Sequence, residues 1–253
     1  MHEEARAART SDPSRTASAS ASAVPAGPTA PAALVELAAR LLNGRTVHKG
    51  RSLLGLTGPP GAGKTTLARY LVTEINRTEG PGTAAYLPLD GFHLANAQLD
   101  RLGLRSRKGS PESFDSLGYL ALLRRVTVER FNDVYAPGFD RSLDEPVAGR
   151  HVVQPHTRLV VTEGNYLGND DSPWSSARAL LHELWYIEAE DSLRDQRLMQ
   201  RHVAGGRTPQ AARDWITGND DPNGVYVKQG RTACTRVVRA GGLPQDDSGG
   251  SVL

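Results

Sequence analysis

Residues Gly58-Pro59-Pro60-Gly61-Ala62-Gly63-Lys64-Thr65 follow the spacing G-x-x-x-x-G-K-[ST] without a mismatch. Glycines at those places let backbone N–H groups turn inward around an anion, and a helix beginning at Lys64 adds positive potential. The lysine is spaced to reach the β- and γ-phosphates of a nucleoside triphosphate, and the Thr65 hydroxyl to hold magnesium, with Thr66 closing the cradle. A glycine-rich turn with a chance Lys-Thr pair is the bland alternative. The context argues against it, because the apolar run Ser52–Thr57 precedes the motif and Leu67, Leu71 and Ile75 follow at helical spacing.

Two acidic residues stand where such a loop needs partners. Asp90 ends the apolar run Ala84–Leu89, and Glu163 ends the run Arg158–Thr162. In a parallel sheet the carboxyl ends of the strands line the ligand crevice. Asp90 there is expected to accept the proton of an attacking hydroxyl, and Glu163 to share a magnesium ion with Thr65. An Asp-Gly surface turn is the alternative for Asp90.

Arg194, Arg197 and Arg201 lie at spacings of three and four, on one helix face, and Arg207 follows the pair Gly205-Gly206. A solvated basic face is one reading. A lid that hinges at the glycines and brings Arg197, Arg201 and Arg207 over a transferring phosphoryl is the other. Around Arg107-Lys108-Gly109 and Tyr135–Arg141, aromatic and charged groups interleave. Lys108, Tyr135, Asp140 and Arg141 suit either a small polar ring or sugar, or an ordinary exposed hairpin. Phe92 and His93 follow Asp90 and either contact the same acceptor or shape its loop.

A phosphate loop alone admits a small-molecule kinase, a GTP-driven switch, or a motor or regulatory ATPase. The guanine-reading tetrapeptide Asn-Lys-x-Asp does not occur. A multidomain motor needs more chain than 253 residues provide. The kinase class leads, and a nucleotide-binding regulatory ATPase acting through a protein partner is the alternative.

With these residues in place, the chain resembles the uridine kinase and pantothenate kinase branch of phosphate-loop kinases, and within it a nucleoside-kinase-like, fructose-transport-kinase-like group. Five segments carry the resemblance: 58–66, Leu87–His93, Arg107–Asp115, Val134–Arg141 and Val161–Tyr166. It implies ATP and Mg2+ as cofactors. The aspartate matching Asp90 would be the base, Glu163 would assist the metal, and Arg197, Arg201 and Arg207 would touch ATP phosphates. Lys108–Asp115 and the 135–141 ribbon would shape the acceptor site. The segment Gly224–Gly230 departs from the family pattern. The resemblance leaves the acceptor open among nucleosides, pantothenate and sugars, and leaves a homodimer open.

These groups need a scaffold. Strands are expected at Ser52–Thr57, Ala84–Leu89, Arg158–Thr162, Glu183–Glu188 and Cys234–Arg239. Helices are expected at Pro31–Leu42 (ended by Asn43-Gly44), Lys64–Asn76, Ser116–Val128, Trp174–His182, Asp191–Val203 and Thr208–Ile216. The alternation predicts an α/β fold, a three-layer α/β/α phosphate-loop domain with a central parallel sheet and a helical lid, over 33–242. The Ala/Ser/Pro-rich residues 1–32 are expected to be a disordered tail, and 243–253 a flexible one. Thirty basic against 28 acidic residues give a net charge of +2, which offers nucleic acid no strong field. One cysteine, Cys234, and no run of about 20 apolar residues point to a cytoplasmic chain with no membrane span.

Overall fold

The structure, a computed structural model, describes residues 24–27, 29–43 and 50–243. Five parallel strands form the central sheet, in the order β2-β5-β1-β6-β7. They are β1 (Ser52–Thr57), β2 (Ala84–Pro88), β5 (Leu159–Glu163), β6 (Glu183–Ile187) and β7 (Arg236–Val238). Every residue of β1 and β5 is buried, as a strand covered on both faces requires. Two apolar layers cover it. One includes Leu54, Leu56, Leu67, Leu71 and Ile75, and brings in α1 (Pro31–Asn43) and α2 (Lys64–Glu79). The other is built around Leu53, Tyr119, Leu123 and Tyr166, and includes α4 (Ser116–Val128).

The register places the chemistry at one edge. Leu56 of β1 and Pro88 of β2 both pair with Glu163 of β5, so three strands end level with one another. The loop at 58–63, the turn at Asp90 and the carboxylate of Glu163 all leave the sheet at that end. A two-stranded antiparallel ribbon, β3 (Val134–Asp140) with β4 (Glu145–Val153), packs over the turn that follows β2. Gly91 allows this approach: a Cβ there would lie 2.2 Å from the Pro137 carbonyl oxygen.

Several elements differ from expectation. The strand over Ala84–Leu89 ends at Pro88, and Leu89–Phe92 coils into a 3-10 turn that carries Asp90. The helix expected to His182 is only α5 (Trp174–Arg178), because His182 is taken by β1: its N–H donates to Leu53 O at 2.8 Å, and its Nδ1 accepts from Leu53 N–H at 3.1 Å. The last strand keeps only Arg236–Val238. The lid starts as expected with α6 (Asp191–Ala204) and α7 (Pro209–Trp215). It then runs on through a π-turn (Ile216–Asp220) into α8 (Asp221–Gln229). A short helix, α3 (Asn96–Leu102), was not foreseen. The tail expectations fall largely on 1–23 and 244–253, outside the described residues, as does Gly44. Of the stretch before α1, Ala26 bridges Val237 in parallel, with Gly27 N–H donating to Val237 O at 2.7 Å.

One buried cation ties the scaffold behind the site. Arg51 is 1% exposed, and its guanidinium donates to Thr157 O (3.1 Å), Val126 O (2.9 Å), Gln154 O (2.6 Å) and Glu129 O. It thus clamps the end of α4 and the approach to β5 onto the start of β1. Arg51→Met keeps the apolar stem but leaves four carbonyls without their donor. It is expected to cost about 3 kcal/mol of stability, read as a lowered urea midpoint at unchanged slope.

Candidate active site

The phosphate loop folds as its glycines require. Gly58 and Gly61 have φ of +146° and +78°, and a Cβ on Gly58 would lie 2.5 Å from Ile187 O. Gly63, also left-handed, stands at the start of α2. Pro60, Gly61, Gly63, Lys64, Thr65 and Thr66 line a cleft of ≈1910 Å³, while Gly58, Pro59 and Ala62 shape the loop from behind. Single-ligand sites run to about 1,000 Å³, so a cleft of this size has room for two ligands side by side. Lys64 is buried and donates to Gly58 O (2.8 Å) and Pro59 O (3.1 Å). Burial pulls its pKa down to about 8, against the opposing pull of Glu163 and Asp90 and with the help of Arg201 and Arg194.

Glu163 is 2% exposed and accepts from Thr65 Oγ1 at 3.0 Å and from the Tyr86 hydroxyl at 2.7 Å. Burial and the neighbouring Asp90 push its pKa up, against Lys64, Tyr86 and Thr65. For Asp90 burial acts in the same direction, but His93, Arg141, Lys64 and Arg201 outweigh it and hold the carboxyl below its usual range. A buried and a half-buried carboxylate thus face one lysine, and the one on the 3-10 turn is held below its usual pKa range.

The second half of the cleft is lined by His93, Lys108, Phe114, Phe139, Arg141 and Asn219, among others. His93 donates from Nδ1 to Asp90 O (2.8 Å) and packs on Phe114 and Phe139, at 4.1 and 4.9 Å between ring centres. That bond leaves Nε2 available to another group. Lys108 is held by Asn96 Oδ1 (2.7 Å) and Asp144 Oδ2 (2.9 Å) and lies 5.0 Å over the Phe139 ring.

The lid closes the third side. Arg197 donates to Gly61 O at 3.2 Å, and Arg201 lies 3.6 Å from Asp220. Arg207 reaches the ring of His202 and stacks on Trp215 at 4.2 Å. Arg194 faces elsewhere: it is 3% exposed and bound to Pro60 O (2.8 Å) and Asp191 (2.5 Å), so it braces the back of the phosphate loop.

Three expected acceptor residues are not in the cleft. Phe92 is buried in the core, edge-on to Tyr119 at 5.3 Å. Tyr135 sits between the fully buried Val134 and Ala136, so the strand pleat sends it outward, 60% exposed. Asp140 ties its own turn, accepting from Ser142 Oγ (2.6 Å), Arg150 NH1 (2.6 Å) and Leu143 N–H (3.1 Å). Conversely, Tyr86, Asn165, His202, Trp215, Asn219 and Asp220 belong to the site or its border and were missed. Tyr86 was readable as the one side chain with a polar atom in the run Ala84–Leu89; the π-turn that presents Asn219 and Asp220 carries no periodic signal.

The arrangement can hold a polyphosphate, keep one carboxylate ionised beside it, and cover both with arginines. No protein-family profile matches the chain. A Schizosaccharomyces pombe protein named "putative uridine kinase" is 33% identical over 188 residues, 72% of this chain and 80% of that one. The uncharacterized protein YggC of Escherichia coli is 38% identical over 176 residues, 68% of this chain and 71% of that one. Among solved structures, a "putative fructose transport system kinase" from a Silicibacter species superposes with a TM-score of 0.74 at 33% identity. It covers 83% of this chain and 99% of its own.

Proposed function

This chain belongs to the phosphate-loop kinases related to uridine kinase, and from that premise we propose that it transfers the γ-phosphoryl of ATP to a hydroxyl of a small metabolite. The observation that carries the reading is the meeting of Lys64, Asp90 and Glu163 at one end of the sheet, where they line one cleft. Asp90 takes the proton of the acceptor hydroxyl as it attacks. Lys64 and the loop amides hold the β- and γ-phosphates, and Arg197, Arg201 and Arg207 offset charge on the group in transfer.

The Thr65 hydroxyl and the Glu163 carboxylate are hard oxygen donors that meet at 3.0 Å, and they fit a magnesium ion. When bound, that ion neutralises phosphate charge and aligns the γ-phosphoryl. The acceptor binds between His93, Phe114, Phe139 and Arg141, which offer aromatic faces on one side and hydrogen bonds on the other. Lys108 holds the floor of this half in place, through Asn96 and Asp144.

Nucleosides, pantothenate and sugars, screened for acceptor-dependent ADP release, test the reading. One class is expected to raise ADP release well above the rate with water alone. Release that no alcohol changes would count against it.

Lys64 adds a pH signature. Its ammonium is charged below about 8 and neutral above, so in the free enzyme phosphate binding weakens as pH rises through that value. kcat/KM for ATP is expected to fall on the alkaline side, while kcat at saturating ATP stays level, because bound phosphate keeps the lysine protonated. A kcat/KM that is flat to about pH 9.5 would show that Lys64 keeps the reference lysine value.

A further inference from the structure

We propose that His202 is a positioning residue for Arg207, the middle of an Asp220–His202–Arg207 relay in the lid. The inference rests on the kinase reading in one respect: it takes Arg207 as a group that meets the transferring phosphoryl.

His202 and Asp220 are 7% and 6% exposed, at the edge of the cleft. Nε2 of His202 lies 2.7 Å from Asp220 Oδ2, and Nδ1 lies 3.0 Å from Arg207 NH1. A carboxylate can only accept, and a guanidinium can only donate. Both bonds form together only if Nε2 carries the proton and Nδ1 is bare. The geometry therefore selects one neutral tautomer. The imidazole passes the orientation of a buried carboxylate on to the arginine, as a carboxylate orients an imidazole in other sites.

The surroundings make Arg207 depend on this link. The left-handed Gly206 turns the chain back, so that Arg207 N–H meets His202 O at 3.1 Å. Its guanidinium then has the His202 nitrogen on one side and the Trp215 ring on the other. Asp220 also lies 3.6 Å from Arg201, so one carboxylate of the π-turn serves two lid arginines. The groups facing the imidazole are Asp220 from the π-turn, Arg207 from the turn after α6, and Trp215 from α7 at 6.4 Å. Without the imidazole the bond to Arg207 is lost, and only the stack on Trp215 remains.

The test compares wild type with His202→Ala, His202→Gln, Arg207→Ala and the double alanine variant. ADP release is measured with the best acceptor from the screen. His202→Ala is expected to lower kcat about 30-fold with KM for ATP within about threefold, and the double variant to be no slower than Arg207→Ala. Glutamine offers one acceptor and one donor and does not titrate, so His202→Gln recovers most of the loss. If Arg207→Ala is slow but His202→Ala is not, the relay is wrong and the kinase reading stands. If Arg207→Ala is as fast as wild type, both the relay and the role of Arg207 fall.

A second measurement needs no turnover. The fluorescence of Trp215, taken as the difference from Trp215→Phe, is expected to change in His202→Ala and to match wild type in His202→Gln. A His202→Ala signal identical to wild type overturns the relay even if no acceptor is found.

Discussion

Replacing Asp90 by asparagine is expected to lower kcat about 10³-fold while ATP affinity stays within about threefold. The substitution keeps shape and hydrogen-bonding capacity but removes the basic oxygen. The fold around Asp90 is built to keep that oxygen ionised. The carboxyl sits on a 3-10 turn at the end of β2, half-buried, where desolvation raises its pKa. His93, Arg141, Lys64 and Arg201 reverse that outcome. A carboxyl held below its ordinary range accepts a proton only as the hydroxyl attacks, so its loss falls on kcat. ATP binding should survive, because the loop from Gly58 to Thr66 does not depend on the Asp90 side chain. Retained turnover in Asp90→Asn would remove the base assignment.

The second large effect is at Lys64. Lys64→Met keeps a buried apolar stem of similar length and removes the charge. kcat/KM for ATP is expected to fall at least about 10²-fold, with both KM and kcat affected, since the ammonium meets phosphate in the ground state and in transfer. The side chain also closes the loop onto Gly58 O and Pro59 O. Loss of those bonds loosens the loop before any nucleotide arrives. A thermal midpoint within a few degrees of wild type would show that the loss is at the site and not in the fold. Normal ATP affinity in Lys64→Met would mean that the phosphates sit elsewhere.

Much of this was legible in the chain. The spacing from Gly58 to Thr65 determines a loop and a helix together, and the apolar runs before Asp90 and Glu163 are too short for buried helices and end at Asp-Gly and Glu-Gly, as buried parallel strands do. Placing both carboxylates at one end followed from parallel topology alone. What could not be read depends on direction rather than on residue type. Phe92 is aromatic and next to the turn, but the 3-10 geometry points it into the core. Tyr135 was readable by strand parity, as its neighbours Val134 and Ala136 are the inward pair. The helix expected to stop at Ile216 runs on, because a π-turn absorbs the Thr-Gly-Asn-Asp sequence and turns Asn219 toward Lys108 O at 2.7 Å. No 3.6-residue period announces such a turn. Arg194 shares a helix face with Arg197 and Arg201 in sequence, yet its depth at Pro60 gives it a different task.

The central claim is phosphoryl transfer to an alcohol, and phosphorus NMR of the reaction mixture tests it most directly. With ATP, Mg2+ and the acceptor chosen by ADP release, the γ-phosphate signal should be replaced one for one by a new phosphomonoester. Little inorganic phosphate should form, and Asp90→Asn should abolish the new signal. If ATP is instead converted to ADP and inorganic phosphate at a rate that no acceptor changes, the chain is an ATPase and the account given for Asp90 is wrong.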